Sequence, residues 1–196
     1  MPIYHHHKCI FTHIPKSAGS SIHRVLRSED LQGWSDHNTL SQSVSVETKN
    51  YFKFTYVRNP WDRFVSNYFY FKNYGRDGKG DVQMGKIVNR YSTFTKFALD
   101  FHNIPESYWT YPHFKSQLTW IDFSPIDFIG QYELLQLHFD YVCDNIGMER
   151  QQLPHTNKSE HEHYTTHYNE DTIQAVAKIY SKDIEKLGYN FDDIIS

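Results

Sequence analysis

A chain of 196 residues, 39% of them hydrophobic, is the length of one ordinary domain and can bury a core unaided, which excludes a disulfide-stapled mini-protein. Twenty lysines and arginines against 23 aspartates and glutamates leave a formal charge of −3, so no global basic field exists for nonspecific nucleic-acid binding and any anion site must be local. Two cysteines, Cys9 and Cys143, both in apolar runs, are too few for a disulfide framework or a four-cysteine zinc site and read as reduced core thiols.

No apolar run reaches the length of a membrane span and no charged-then-apolar leader opens the chain, so a soluble, cytoplasmic protein is expected. Aromatic residues at 17% predict a core of rings packed on rings. The 13 histidines are mostly surface residues on this reading, with His5, His6 and His7 forming an exposed polar terminus.

In chain order, residues 8–14 form a short apolar run closed by Pro15, the pattern of a buried strand. Small residues follow, and Ile22, Val25 and Leu26 then keep helical spacing. Residues 30–39 read as an irregular connection and 44–50 as one or two polar helical turns. Residues 51–57 are a second strand, and Asn59 before Pro60 suits an N-cap with proline at the first helical position, predicting a helix over 60–71. Beyond a Gly-rich charged loop at 74–81, residues 84–100 carry one or two helices. Residues 125–130 are a third strand and 133–145 a helix. Ile173, Val176, Ala177, Tyr180, Ile184 and Leu187 share one face of a helix over 172–187. Strands alternating with helices predict an α/β fold, a mostly parallel central sheet flanked by helices, in a single domain over 1–196.

In such folds ligands bind beyond the carboxyl ends of strands, where helix N-termini offer unpaired N–H groups. The loop Lys16-Ser17-Ala18-Gly19-Ser20-Ser21 occupies that place: small residues let the backbone close on an anion, the hydroxyls donate, and Lys16 adds a positive charge. Walker A is excluded, because that motif sets lysine directly after its last glycine and here lysine precedes Gly19 by three. A tight turn with a capped helix is the plainer reading of the loop alone.

The second strand end adds Arg58, with Ser66 eight residues on in the next helix, and both suit one further phosphate. Two anion sites on neighbouring strand ends imply a doubly phosphorylated nucleotide.

On these residues the chain resembles sulfotransferases that use 3′-phosphoadenosine 5′-phosphosulfate (PAPS), of the carbohydrate type that includes heparan and chondroitin enzymes and bacterial relatives. His13-Ile14-Pro15-Lys16-Ser17-Ala18-Gly19-Ser20-Ser21 is similar to that family's 5′-phosphosulfate loop, and Val57-Arg58-Asn59-Pro60-Trp61-Asp62-Arg63-Phe64-Val65-Ser66 to its 3′-phosphate motif. Segments 112–117, 127–133 and 153–159 resemble family segments as well. The resemblance implies a P-loop-NTPase-like sulfotransferase fold, with PAPS as donor and 3′-phosphoadenosine 5′-phosphate (PAP) as product. It implies that Lys16 binds the oxygen bridging phosphate and sulfate, that Ser17, Ala18, Gly19, Ser20 and Ser21 hold the 5′-phosphate, and that Arg58 and Ser66 hold the 3′-phosphate. Asn157, Lys158 and Ser159 would form a loop closing over the nucleotide. His37, placed between the two motifs where relatives carry a catalytic histidine, is the expected base, with His113 and His155 as rivals; His13 reads as a packed strand residue.

The acceptor is expected to be a hydroxyl, on a carbohydrate by resemblance alone; a small alcohol or phenol would use the same chemistry. The interval between the motifs is short, which points to a compact enzyme with small acceptor-binding insertions. Tyr68-Phe69-Tyr70-Phe71 reads as helix packing, and Tyr108-Trp109-Thr110-Tyr111 could line an acceptor cleft. Three other readings stay open: a noncatalytic nucleotide- or glycan-binding module, a phosphotransferase, and a metal site drawing on His5, His6 and His7 or on residues 161–167, where His163 and His167 could share a helical face. No metal is expected for sulfuryl transfer.

Overall fold

The structure is a computed structural model, and it describes residues 3–27, 39–42, 44–73, 79–122, 125–154 and 162–193. These fall into two compact units: one within Met1–Arg58 and Gln117–Lys158, the other within Asn59–Ser116 and Ser159–Ile194.

The first unit is a sheet with helices on it. β1 (Ile3–Tyr4) turns back at residues 5–8 into β2 (Cys9–Thr12), and a loop leads into α1 (Gly19–Leu26). β3 (Phe52–Val57) ends the first stretch of this unit. In the second unit come α2 (Pro60–Asn73), α3 (Lys79–Val88), α4 (Phe94–Asp100) and α5 (Glu106–Trp109). The chain then returns to the first unit with α6 (Leu118–Ile121), β4 (Phe128–Gln131) and α7 (Leu135–Ile146), and closes in the second with α8 (Glu170–Ile179) and α9 (Ser181–Leu187).

Among the described residues the four strands lie in the order β1-β2-β3-β4, with β1 antiparallel to β2 and the other two pairs parallel. This is the mostly parallel α/β sheet that the alternation of strand and helix patterns predicts. Phe11 lies opposite Phe54 in register, and their rings stack at 5.1 Å. Alternation along β2 and β3 puts Cys9, Phe11, Phe54 and Tyr56 into one core with Ile22 and Leu26 of α1 and Phe139, Val142 and Cys143 of α7. Burial of each large apolar side chain there contributes roughly 1.5–3 kcal/mol. Cys9 and Cys143 are buried, unbridged thiols, as expected, and burial pushes Cys9 up to about 12.

Gly130 in β4 is required by close approach: a Cβ there would stand 2.6 Å from Cε1 of Tyr56. Asp127 fastens the start of β4, since its carboxylate accepts from the Lys53 backbone N–H at 2.7 Å and its own N–H donates to the Lys53 carbonyl at 2.9 Å.

The second unit is helical. Asn59 caps α2 as expected, its Oδ1 accepting from the Trp61 N–H at 3.1 Å. Phe64 is the hub of an aromatic core, its ring meeting those of Phe94, Phe97, Phe101, Phe114 and Tyr180 at 5.2–6.2 Å. Tyr68 and Phe71 belong to the same core, with Phe69 and Tyr70 packed against it, so this run is the helix packing that its pattern suggests. α8 starts from a reciprocal Asn169–Thr172 capping box.

Two expectations are corrected and one is narrowed. The single helix over 172–187 is two helices, interrupted at Tyr180, which leaves helical geometry (φ −108°, ψ 26°) while its hydroxyl donates to the Phe114 carbonyl at 2.9 Å. The one or two helices expected over 84–100 are two, α3 and α4, the first starting at Lys79 and the second capped by Thr93. The three N-terminal histidines are the turn of a hairpin rather than a trailing terminus, because Ile3 and Tyr4 pair with Ile10 and Cys9. A two-residue strand is too short to announce itself by periodicity. Among the described residues no helix is long and apolar enough to cross a membrane.

Candidate functional site

The loop between β2 and α1 has unusual backbone geometry. Lys16 (φ 69°) and Ala18 (φ 64°) are both left-handed although neither is glycine, at a cost of about 1–2 kcal/mol each, and Ser17 between them is not. A left-handed residue on each side of Ser17 is a turn geometry of the kind from which backbone anion sites are built, and here it runs into the N-terminus of α1. The Ser17 N–H donates to Ile14 and the Ser21 N–H to Ala18, closing the loop as two short turns. The Ser17 hydroxyl is buried, at 1% residue exposure, with no hydrogen-bond partner among the described residues. A buried hydroxyl in that condition calls for an acceptor, and a phosphate oxygen fits.

Gly19 explains itself through His13. A Cβ at Gly19 would lie 1.9 Å from Cδ2 of the His13 ring, which is also stacked parallel to Phe11 at 6.0 Å. His13 is therefore a packed residue that forms one wall of the loop. Gly19→Ala is expected to cost about 1–3 kcal/mol of stability and to weaken anion binding, and His13→Ala in the same chain should recover most of the loss. Thermal melts of the two single variants and the double variant check this; purely additive losses would show that the two side chains do not collide.

Arg58 follows β3 and is fixed at both ends. Its backbone N–H donates to Gln117 Oε1 at 2.9 Å, and Gln117 Nε2 donates back to its carbonyl at 2.8 Å, with Gln117 wholly buried. Its guanidinium donates from Nη1 to the Lys16 carbonyl at 3.1 Å and lies 4.1 Å above the ring of Tyr132. Two cations thus meet at one loop. Burial, and then the Arg58 charge, lower Lys16 from 10.5 to about 8.

The structure brings together Lys16, Ser17, Ala18, Gly19, Ser20, Ser21 and Arg58 of the sequence reading. Ser66 belongs to the second unit, where it is buried within α2 at 1% exposure. His37, His155, Asn157, Lys158 and Ser159 lie outside the described residues.

In the second unit the His113 ring is sandwiched between Tyr70 (5.2 Å, 10°) and Tyr111 (5.6 Å, 14°), and its carbonyl accepts from Arg63 and Asn67. That is the setting of a packing residue. The phenols of Tyr70 and Tyr111 both donate to Asp81. Trp109 of the Tyr108–Tyr111 run is 39% exposed, its ring 6.4 Å from Phe101 and nearly parallel to it. His163 and His167 do not share an α-helical face, because Tyr164–His167 is a 3-10 turn; His163 bonds Thr165, and the His167 ring packs on Phe69 at 4.9 Å.

Sequence reasoning missed Gln117 and Tyr132 as supports of Arg58. The signal available was their place: both fall within segments that resemble the family, and Gln131, just before Tyr132, stands opposite Val57, just before Arg58.

Carbohydrate sulfotransferase 14 from Danio rerio is 28% identical over 173 residues, covering 72% of this chain and 46% of the relative, so the chain spans about half the length of that curated protein. No solved structure matches. Residues 2–190, a span that includes both units, match the Sulfotransferase family, and to that family the chain belongs.

Proposed function

We propose that the protein transfers the sulfuryl group of PAPS to an acceptor hydroxyl, with a carbohydrate as the acceptor class. The observation that carries the nucleotide part is the hydrogen bond from Arg58 to the Lys16 carbonyl, which holds two cations on one phosphate-receiving loop at neighbouring strand ends. The carbohydrate acceptor rests on the similarity to a protein named for that activity. Bound PAPS would supply the sulfuryl group.

Lys16 would place its ammonium at the oxygen between phosphate and sulfate and neutralise the charge that develops there. The N–H groups at the start of α1, with the hydroxyls of Ser17, Ser20 and Ser21, would hold the 5′-phosphate. Arg58 would pair with the 3′-phosphate, and Ser66 is proposed as its second contact on motif spacing. His37 would accept the proton of the acceptor hydroxyl, aligned with the leaving oxygen.

The test is calorimetric titration with PAP, AMP, ADP and ATP in metal-free buffer. PAP is expected to bind at least tenfold more tightly than AMP, because only PAP engages Arg58 as well as the loop. ATP preferred over PAP, or no nucleotide binding, would overturn the reading.

A further inference from the structure

We infer that Tyr132 is a positioning residue for Arg58 and, through it, a determinant of selectivity for nucleotides bearing a 3′-phosphate. This rests on the proposed placement of that phosphate at Arg58. The two residues meet because of strand register: Val57 at the end of β3 pairs with Gln131 at the end of β4, so the next residue of each strand emerges beside the other. One is arginine and the other an aromatic ring, 4.1 Å apart from guanidinium carbon to ring centroid.

The constraints on Arg58 are complementary. Gln117 locks its main chain through two buried hydrogen bonds, which fixes where the side chain starts but not where it ends. The Lys16 carbonyl takes one Nη1–H, which fixes one edge of the fork. The Tyr132 ring supplies the third restraint, a wall under the guanidinium whose negative face attracts the cation. Arginine carries a rigid fork of donors whose value against phosphate depends on orientation. Removing the ring takes away the surface against which the guanidinium plane lies, so the fork can tilt out of that plane. The ring at 132 accordingly governs how well Arg58 presents itself to a phosphate, while the 5′-phosphate loop is served by other atoms.

The experiment compares PAP and AMP affinities by calorimetry for the wild type, Tyr132→Phe and Tyr132→Leu, with melting temperatures alongside. Tyr132→Leu is expected to weaken PAP about 5- to 10-fold and leave AMP within twofold, so that the ratio of the two affinities collapses. Tyr132→Phe, which keeps the ring, should hold the wild-type ratio. Equal weakening of both nucleotides by Tyr132→Leu, or an unchanged ratio, would show that the ring only supports the fold and overturn the inference. A wild type that does not prefer PAP to AMP would instead overturn the placement of the 3′-phosphate, and the inference with it. If Tyr132→Leu does not fold, a Tyr132→Phe variant whose ratio falls like that of Arg58→Ala overturns the role of the ring. A Tyr132→Phe variant that keeps its ratio while Arg58→Ala loses it supports the role.

Discussion

Lys16→Met is expected to lower the rate of sulfuryl transfer about 10²–10³-fold while making the folded protein more stable at neutral pH. The rate loss follows from removing the loop's lysine, which is proposed to sit where leaving-group charge develops. The stability gain follows from burial. Lys16 is lowered from 10.5 to about 8, chiefly by desolvation and then by Arg58, so the folded state holds this ammonium at a cost that the unfolded chain does not bear. Because the folded value lies below the unfolded one, the cost is present in full below about pH 8 and disappears as pH rises toward 10.5. Lys16→Met should therefore raise the unfolding free energy at pH 7 by about 1–3 kcal/mol, and the advantage should vanish by the upper end of that window. PAP affinity of the wild type should fall as pH rises through about 8, where Lys16 loses its proton. Denaturant unfolding and PAP titration at pH 7 and 10 check both signs; a variant that loses activity and stability together would mean that Lys16 is a structural residue.

His37→Ala is expected to reduce turnover about 10²–10⁴-fold and to leave PAP affinity unchanged. The argument is positional, since His37 lies 21 residues before Arg58, in the interval where the resembled enzymes carry their catalytic histidine. The packing of His113, one of its two rivals, and of His13 strengthens it. The His113 ring is sandwiched between two tyrosines and its carbonyl braces Arg63, while His13 is wedged against Gly19. Steady-state rates with PAPS and a mixed polysaccharide acceptor, with and without added imidazole, provide the measurement. Restoration of rate by imidazole identifies a missing base, and an active His37→Ala enzyme would transfer the role to His155 or His113.

The legible parts of this molecule are those whose signal is local. Residues 8–14 and 51–57 announce strands by continuous apolar content, and the Asn59-Pro60 pair announces a helix start, because each pattern lies within one element. The turn between β2 and α1 was equally legible, since a run of small residues after a strand lets the backbone close tightly before a helix. The supports of Arg58 were not. Gln117 is 59 positions away in sequence and Tyr132 further still, and only the pairing of β3 with β4 brings the tyrosine close. No periodicity records a side chain that bonds the backbone of a distant residue. The break at Tyr180 was hidden for a related reason, since Ile184 and Leu187 keep the helical stripe in phase while a tertiary bond to Phe114 interrupts the backbone.

The two arginines of the Val57–Ser66 motif do different work. Arg63 is 1% exposed and donates to the carbonyls of Lys115 and His113, so it tethers the chain after α5 inside the helical unit. A guanidinium does not shed its proton on burial as an ammonium can, and its planar fork spans two carbonyls in a way that lysine cannot. In a mutational scan of this motif, inactive Arg63 variants would accordingly report on protein abundance. Variants at Arg58, the residue proposed to meet the 3′-phosphate, would test that proposal where the protein accumulates normally.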